Sequence, residues 1–121
     1  MKKRILCVDD DPDFLEATRF VVESAGYVFA SAASAEEGLK LYDEVSPDLL
    51  IIDLMMEEVD AGANMAKELK ARGNTKPVYM MTSVGDALSA NISYDDRSLA
   101  GVFQKPIDPD ALLSTLGTRL T

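Results

Sequence analysis

Short apolar runs alternate along the chain with longer segments in which apolar residues recur at helical spacing. This alternation is typical of βαβ units and predicts an α/β fold built on a parallel sheet. The first, third and fourth runs are almost wholly apolar, as expected of strands covered on both faces, so they are predicted to form the sheet centre. The five predicted strands are Ile5 to Val8, Tyr27 to Ala32, Leu49 to Ile52, Val78 to Met81 and Gly101 to Gln104.

Four of the intervening segments carry clear helix signals, which include proline in a first turn, a capping box and glycine beyond a last turn. The stretch Gly85 to Leu99 is rich in modest or poor helix formers and predicts only a short helix and a polar loop. Asp11 is expected to cap the first helix. The four clear helices are predicted from Pro12 to Gly26, from Ser34 to a point before Pro47, from Met65 to near Gly73, and from Asp108 to Leu120.

Composition narrows the possible chemistry. The chain has 121 residues, the size of one domain, and 21 acidic against 12 basic residues give a formal net charge of −9. This acidity argues against electrostatic capture of nucleic acid or of an anionic membrane. With no His and one Cys, a disulfide framework and a zinc cluster are excluded. No apolar run suits a secretory signal or a membrane span, which predicts a cytoplasmic protein, and Cys7 is expected to be a small buried hydrophobe.

Polar residues directly follow four of the five predicted strands. A parallel sheet would bring these residues to one edge. Ligands of open parallel sheets bind beyond the carboxyl ends of the strands, so these residues are the first candidates for function. They are Asp9, Asp10 and Asp11 after the first strand, Asp53 after the third, Thr82 and Ser83 after the fourth, and Lys105 and Pro106 after the fifth.

A divalent cation would stabilise carboxylates gathered at that edge, because otherwise they would repel and one would take up a proton. Mg²⁺ prefers oxygen ligands, so Asp10 and Asp53 are candidate direct ligands, Asp9 a ligand through water, and the backbone carbonyl of Met55 a further ligand. An aspartate can also attack phosphorus. Asp53 is the natural acceptor, with Mg²⁺, Lys105 and the Thr82 hydroxyl or a backbone N–H each neutralising one phosphoryl oxygen.

Four fragments carry a resemblance to a known family. "CVDDDPDFL" from Cys7, "PDLLIIDLMM" from Pro47, "VYMMTS" from Val78 and "FQKP" from Phe103 occur in this order, and together they resemble the receiver domain of bacterial response regulators. The resemblance covers essentially the whole chain. It implies a single flavodoxin-like (βα)5 doubly wound domain over residues 1–121, with a five-stranded parallel sheet of order 2-1-3-4-5.

The resemblance also implies roles for individual residues and partners. Asp53 would be phosphorylated by a sensor histidine kinase or a phosphotransfer protein, with Asp9 and Asp10 as the acidic pair for Mg²⁺. Thr82 would be the switch hydroxyl and Lys105 the phosphate-binding lysine. A downstream protein would dock on the face formed by the fourth helix, the fifth strand and the last helix. No output domain is visible after the last helix, so a stand-alone regulator and a fragment of a longer one both remain open.

Three positions depart from the usual receiver pattern. Val102 stands where receivers usually carry a switch aromatic, three residues before the lysine, and its neighbour Phe103 is predicted to be an ordinary core residue. After the acceptor, Glu57 and Ala61 replace the common Pro and Gly, with Gly62 one place later.

Two further positions concern the attack of water on a phosphorylated aspartate. Met55 and Val84 are expected to flank the path of that water, where amide or acidic side chains in receivers can hold it. Apolar side chains cannot make such hydrogen bonds, so the sequence predicts slow self-dephosphorylation.

Two other functions fit parts of the pattern. A haloacid-dehalogenase-like phosphatase would use Asp9 as its nucleophile, but such an enzyme expects a hydroxyl residue shortly afterwards, where this chain has Asp13, and usually a longer chain. A degenerate receiver would only bind partners. The complete set Asp10, Asp53, Thr82 and Lys105 argues against that second alternative.

Overall fold

The computed structural model describes residues 2–54, 61–82 and 100–120. In this part of the chain, five parallel strands form one sheet of order β2-β1-β3-β4-β5, with helices on both faces. The strands are β1 (Arg4–Val8), β2 (Val28–Ala32), β3 (Leu49–Asp53), β4 (Val78–Thr82) and β5 (Gly101–Gln104). The helices are α1 (Pro12–Ser24), α2 (Ala35–Val45), α3 (Ala61–Ala71) and α4 (Pro109–Arg119). The short helix predicted within residues 85–99 lies outside the described residues.

The predicted fold class and strand order are confirmed, and β1, β3 and β4 form the sheet centre as expected. Several boundaries differ from prediction. β1 begins one residue earlier, at Arg4, and β3 and β4 each end one residue later, at Asp53 and Thr82. Tyr27 does not belong to β2, because its N–H donates to the carbonyl of Val22 and so completes the turn that ends α1. The third helix begins at Ala61 rather than near Met65. No helix in the described ranges is long and apolar enough to cross a membrane.

Capping residues determine where the helices begin and end. Asp11 is the N-cap of α1, Ser34 accepts a hydrogen bond from the N–H of Glu37 at the start of α2, and Asp108 caps α4. Gly26, at φ 93°, turns the chain out of α1 towards β2 in a conformation that side chains rarely adopt. The sequence predicted each of these ends.

Alternate residues of the central strands enter two apolar layers. Leu6, Leu50 and Met80 pack under α2 and α3, whereas Cys7 and Ile51 pack under α1 and α4. Cys7 is fully buried, which confirms its predicted structural character. Burial raises the pKa of the Cys7 thiol strongly, and the nearby charge of Asp9 raises it further.

The register of the edge strand β5 shows how Val102 and its neighbour Phe103 are placed. Val102 pairs with Met80 and Phe103 with Met81, in unbroken parallel register. Phe103 packs against Tyr79 with ring centroids 5.1 Å apart, so it is a core residue as predicted. Val102 is 38% exposed and has no aromatic ring that could alternate between inner and outer positions.

Candidate functional site

Backbone hydrogen bonds beyond the strand ends hold the candidate residues at one edge of the sheet. Asp9 donates its N–H to the carbonyl of Ala32, at 3.0 Å, just past the end of β1. Lys105 donates its N–H to the carbonyl of Thr82, at 2.7 Å, just past the end of β5. Asp53 is the last residue of β3. The sheet itself therefore assembles the site, since each residue sits where its strand stops.

Three carboxylates converge at this edge. Asp9, Asp10 and Asp53 each contribute an oxygen, and these oxygens lie within 4.8 Å of one another. Asp9 is fully buried and Asp53 is 5% exposed, whereas Asp10 faces solvent. Such a group of oxygen donors could hold a metal ion, with the exposed carboxylate on the side from which an ion would enter.

Lys105 reaches into the same group. Its ammonium lies 2.6 Å from Asp9 Oδ2 and 3.3 Å from Asp53 Oδ2, to which it donates a hydrogen bond. Burial by itself would lower the pKa of Lys105, but the contact with Asp9 and the charge of Asp53 outweigh it, so the pKa is raised. Lys105 therefore stays protonated at neutral pH. With three carboxylates and one ammonium, the site has a negative formal charge.

Asp9 keeps unused bonding capacity despite this ion pair. Its Oδ1 accepts the N–H of Asp11 at 2.9 Å. Its Oδ2 is buried and has the Lys105 ammonium as ion-pair partner at 2.6 Å, but among the described residues it accepts no well-directed hydrogen bond. A buried carboxylate oxygen in this condition is suited to a water molecule or a cation.

Gly62 packs against the backbone of the candidate acceptor. Its N–H donates to the carbonyl of Leu54 at 3.2 Å, and a Cβ atom at this position would overlap the carbonyl oxygen of Asp53. Glycine is thus required by a close backbone approach at residue 62, one place after Ala61, where the family pattern put it.

The structure brings together most of the residues that the sequence singled out. Asp9, Asp10, Asp53 and Lys105 share one site, and Thr82, buried at the end of β4, adjoins Lys105 through the backbone. Asp11 serves as the cap of α1, as predicted. Four other positions named in the sequence analysis lie outside the described residues: Met55, Glu57, Ser83 and Val84.

One neighbour of the site was missed from sequence. The ring of Phe14, in the first turns of α1, lies 4.7 Å from the Lys105 ammonium, measured to the ring centroid. Helical spacing by itself predicts that Phe14 belongs to the apolar stripe of α1, and Phe14 does pack on the core layer under α1 and α4. The available signal was its place three residues after Asp11, in the first turn of the helix that follows the acidic residues, which brings an aromatic ring to the same edge of the sheet.

Solved structures share the fold over nearly the full length. A response regulator receiver domain protein from Clostridium thermocellum superposes with a TM-score of 0.86 at 25% identity, covering 98% of this chain and 94% of that one. A putative response regulator from Chloroflexus aurantiacus superposes with a TM-score of 0.85 at 31% identity, covering 99% and 98%.

Sequence relatives extend beyond this domain. The transcriptional regulatory protein GlrR of Escherichia coli is 32% identical over 96% of this chain, which spans only 26% of GlrR. The model of the response regulator receiver domain matches residues 5–117. Members of that family accept a phosphoryl group on an aspartate from a histidine kinase. The chain, with this match and this fold, belongs to the response regulator receiver domain family of two-component signal transduction.

Proposed function

We propose that Asp53 is the phosphoryl acceptor of this receiver. The observation that carries the proposal is the position of the Lys105 ammonium, which bridges Asp53 and the buried Asp9 at the carboxyl edge of the sheet. A carboxylate oxygen of Asp53 would form a bond to phosphorus while the bond from phosphorus to a donor histidine nitrogen breaks. The imidazole would leave with that electron pair, and the product would be an aspartyl phosphate.

The donor set of the site suits Mg²⁺. Its ligands would be oxygens of Asp10 and Asp53, the backbone carbonyl of Met55, and water held by Asp9. The buried Asp9 Oδ2, which accepts no well-directed hydrogen bond in the described part of the chain, supports a hydrated cation beside it. When bound, Mg²⁺ would supply positive charge to the phosphoryl oxygens during transfer.

Lys105 and Thr82 would serve the product state. The ammonium of Lys105 already lies 3.3 Å from Asp53 Oδ2 and would pair with a phosphoryl oxygen that develops there. Thr82 is buried at the end of the adjoining strand, and its hydroxyl would bind another phosphoryl oxygen. Phosphorylation adds nearly two negative charges, which would bias the positions of these two groups and so the surface around them.

A histidine kinase or a phosphotransfer protein would supply the phosphoryl group, and a downstream protein would read the state of the domain. The face for that protein would comprise residues 85–99, β5 and α4. Three curated relatives are named as a transcriptional regulatory protein, a transcriptional regulator and a DNA-binding response regulator, and this chain spans about a quarter to a half of their lengths. The cytoplasmic location and a single-domain span of residues 1–121 stay predictions.

Phosphorylation by a small acyl phosphate in the presence of Mg²⁺ tests this function. Label should enter the wild-type protein, fall most severely in Asp53→Asn, and persist in Asp43→Asn, which removes an exposed acid on α2. Asp9→Asn should lower the rate and the Mg²⁺ dependence while still allowing label at Asp53. Turnover that depends on Asp9, or label that survives Asp53→Asn unchanged, would contradict the proposal and favour the phosphatase alternative.

A further inference from the structure

We propose that Phe14 is a positioning residue for Lys105, and that its ring keeps the ammonium aimed at Asp53. The role rests on the proposed function of Asp53 as phosphoryl acceptor. The ammonium lies over the face of the ring, 4.7 Å from the centroid, within the range of a cation–π contact. The same ammonium also meets the carboxylates of Asp9 and Asp53.

A closed chain of contacts fixes this geometry. The N–H of Asp11 donates to Asp9 Oδ1 at 2.9 Å, and Asp11 Oδ1 in turn accepts the N–H of Phe14 at 3.4 Å. The ring of Phe14 then faces Lys105, whose ammonium returns to Asp9 Oδ2 at 2.6 Å. The same cap that starts α1 therefore sets both a carboxylate and an aromatic face around one cation.

The lysine needs such a constraint. Its side chain is flexible, it is 21% exposed, and a free ammonium is strongly hydrated. A ring in contact with the ammonium displaces water from it and favours the position near Asp53, because a cation–π contact strengthens where the cation is partly desolvated. The ring is itself anchored, since Phe14 packs on the apolar layer under α1 and α4.

An ordinary core role predicts a different result from mutation. If Phe14 only filled space, Leu would replace it with a modest loss of stability and no specific effect on Lys105. If the aromatic face matters, Leu should release the ammonium while Tyr, which keeps the ring, should retain it. Phe29→Leu is the matched control, because Phe29 packs in the same layer and carries the guanidinium of Arg19 at 5.4 Å, away from the site.

The first measurement does not require phosphorylation. The ring current of an aromatic side chain shifts protons that lie over its face upfield. The ε-methylene protons next to the Lys105 ammonium should therefore resonate upfield of those of the other lysines in a proton–carbon NMR spectrum. Lys105→Arg assigns the signal. The upfield shift should disappear in Phe14→Leu and persist in Phe14→Tyr and Phe29→Leu. An unshifted Lys105 signal in the wild-type protein would overturn the proposal.

The second measurement is the rate of phosphorylation by the acyl phosphate. Phe14→Leu is expected to be about threefold to tenfold slower than wild type, and Phe14→Tyr to stay within about twofold of it. Equal losses in Phe14→Leu and Phe29→Leu, at matched stability, would contradict the positioning role. Absence of any label in the wild-type protein would instead contradict Asp53 as acceptor, and the NMR result would still decide whether Phe14 holds the lysine.

Discussion

Gly62 lies directly against the backbone carbonyl of Asp53, with no room for a Cβ atom between them. A Cβ there would also come within 2.8 Å of the Cα of Leu54, so the obstacle is backbone rather than a side chain that could move. The start of α3 thereby packs directly on the end of β3, at the backbone of Asp53. Gly62 therefore sets how closely α3 approaches the strand that ends in Asp53.

Gly62→Ala should destabilise the protein by about 1–3 kcal/mol, because the added methyl group forces β3 and α3 apart. Gly117→Ala is the matched control, since it lies in α4 with nothing within 4 Å of an added Cβ. There, alanine should stabilise the helix by up to about 1 kcal/mol. Urea unfolding measures both, and equal effects of the two substitutions would show that Gly62 is not in contact with the strand.

Lys105→Met should destabilise the metal-free protein by about 3 kcal/mol, because it leaves the buried charge of Asp9 without its cation. Mg²⁺ should restore more stability to this variant than to wild type, since no ammonium then competes for the carboxylates. Arg72→Met is the control. Arg72 pairs with Asp43 and Glu68 at an exposed position, so its loss should cost less than about 1 kcal/mol. Similar losses in both variants, or no added Mg²⁺ effect, would contradict this account.

The sequence predicted which of these side chains lie together because they stand at strand ends. Asp53 and Thr82 close central strands, and Asp9 and Lys105 follow their strands at once. Once the apolar runs define a parallel sheet, the edge at which these side chains meet is determined, whatever the connecting loops do. The resemblance to receivers then supplied the strand order, which hydrophobic patterning by itself does not determine.

Contacts between distant segments could not be predicted in this way. Helical periodicity places Phe14 on a buried stripe, but periodicity says nothing of a lysine from the opposite end of the chain lying over its ring. Likewise, receivers commonly have a glycine at the position that Ala61 occupies in this chain. Only the packing of α3 on β3 shows that Gly62, one place later, makes the close approach to the strand. Tyr27 begins the apolar run that predicts β2, whereas in the structure its N–H completes the end of α1.

Cys7 should make the protein less stable as the pH rises into the alkaline range. Burial first, and then the charge of Asp9, raise the pKa of the folded thiol, so only the unfolded chain releases its proton above the ordinary value of about 8.5. The folded state then binds more protons than the unfolded state, and stability falls as the pH rises. Near pH 9.5 the loss should be about 1.4 kcal/mol relative to neutral pH.

Cys7→Ala tests the origin of that pH dependence. The variant should be less stable overall because it leaves space in the core, but its stability should change less between pH 7.5 and pH 9.5, by about 1.4 kcal/mol. Alkylating reagents should modify the thiol of the folded wild-type protein very slowly and that of the urea-unfolded protein rapidly. Rapid modification under native conditions would contradict the buried thiol.

Met55→Asn should shorten the lifetime of the aspartyl phosphate. Residue 55 lies two positions after Asp53, and in the proposed chemistry an amide there would orient the water that attacks phosphorus, which the thioether of methionine cannot do. The wild-type phosphate should therefore survive for many minutes after the donor is removed. Met55→Leu, which is equally apolar, should leave that lifetime unchanged, whereas Asn should reduce it severalfold. Loss of label measured on purified protein decides the matter: a wild-type lifetime of seconds, or equal lifetimes for Asn and Leu, would show that another group controls the attacking water.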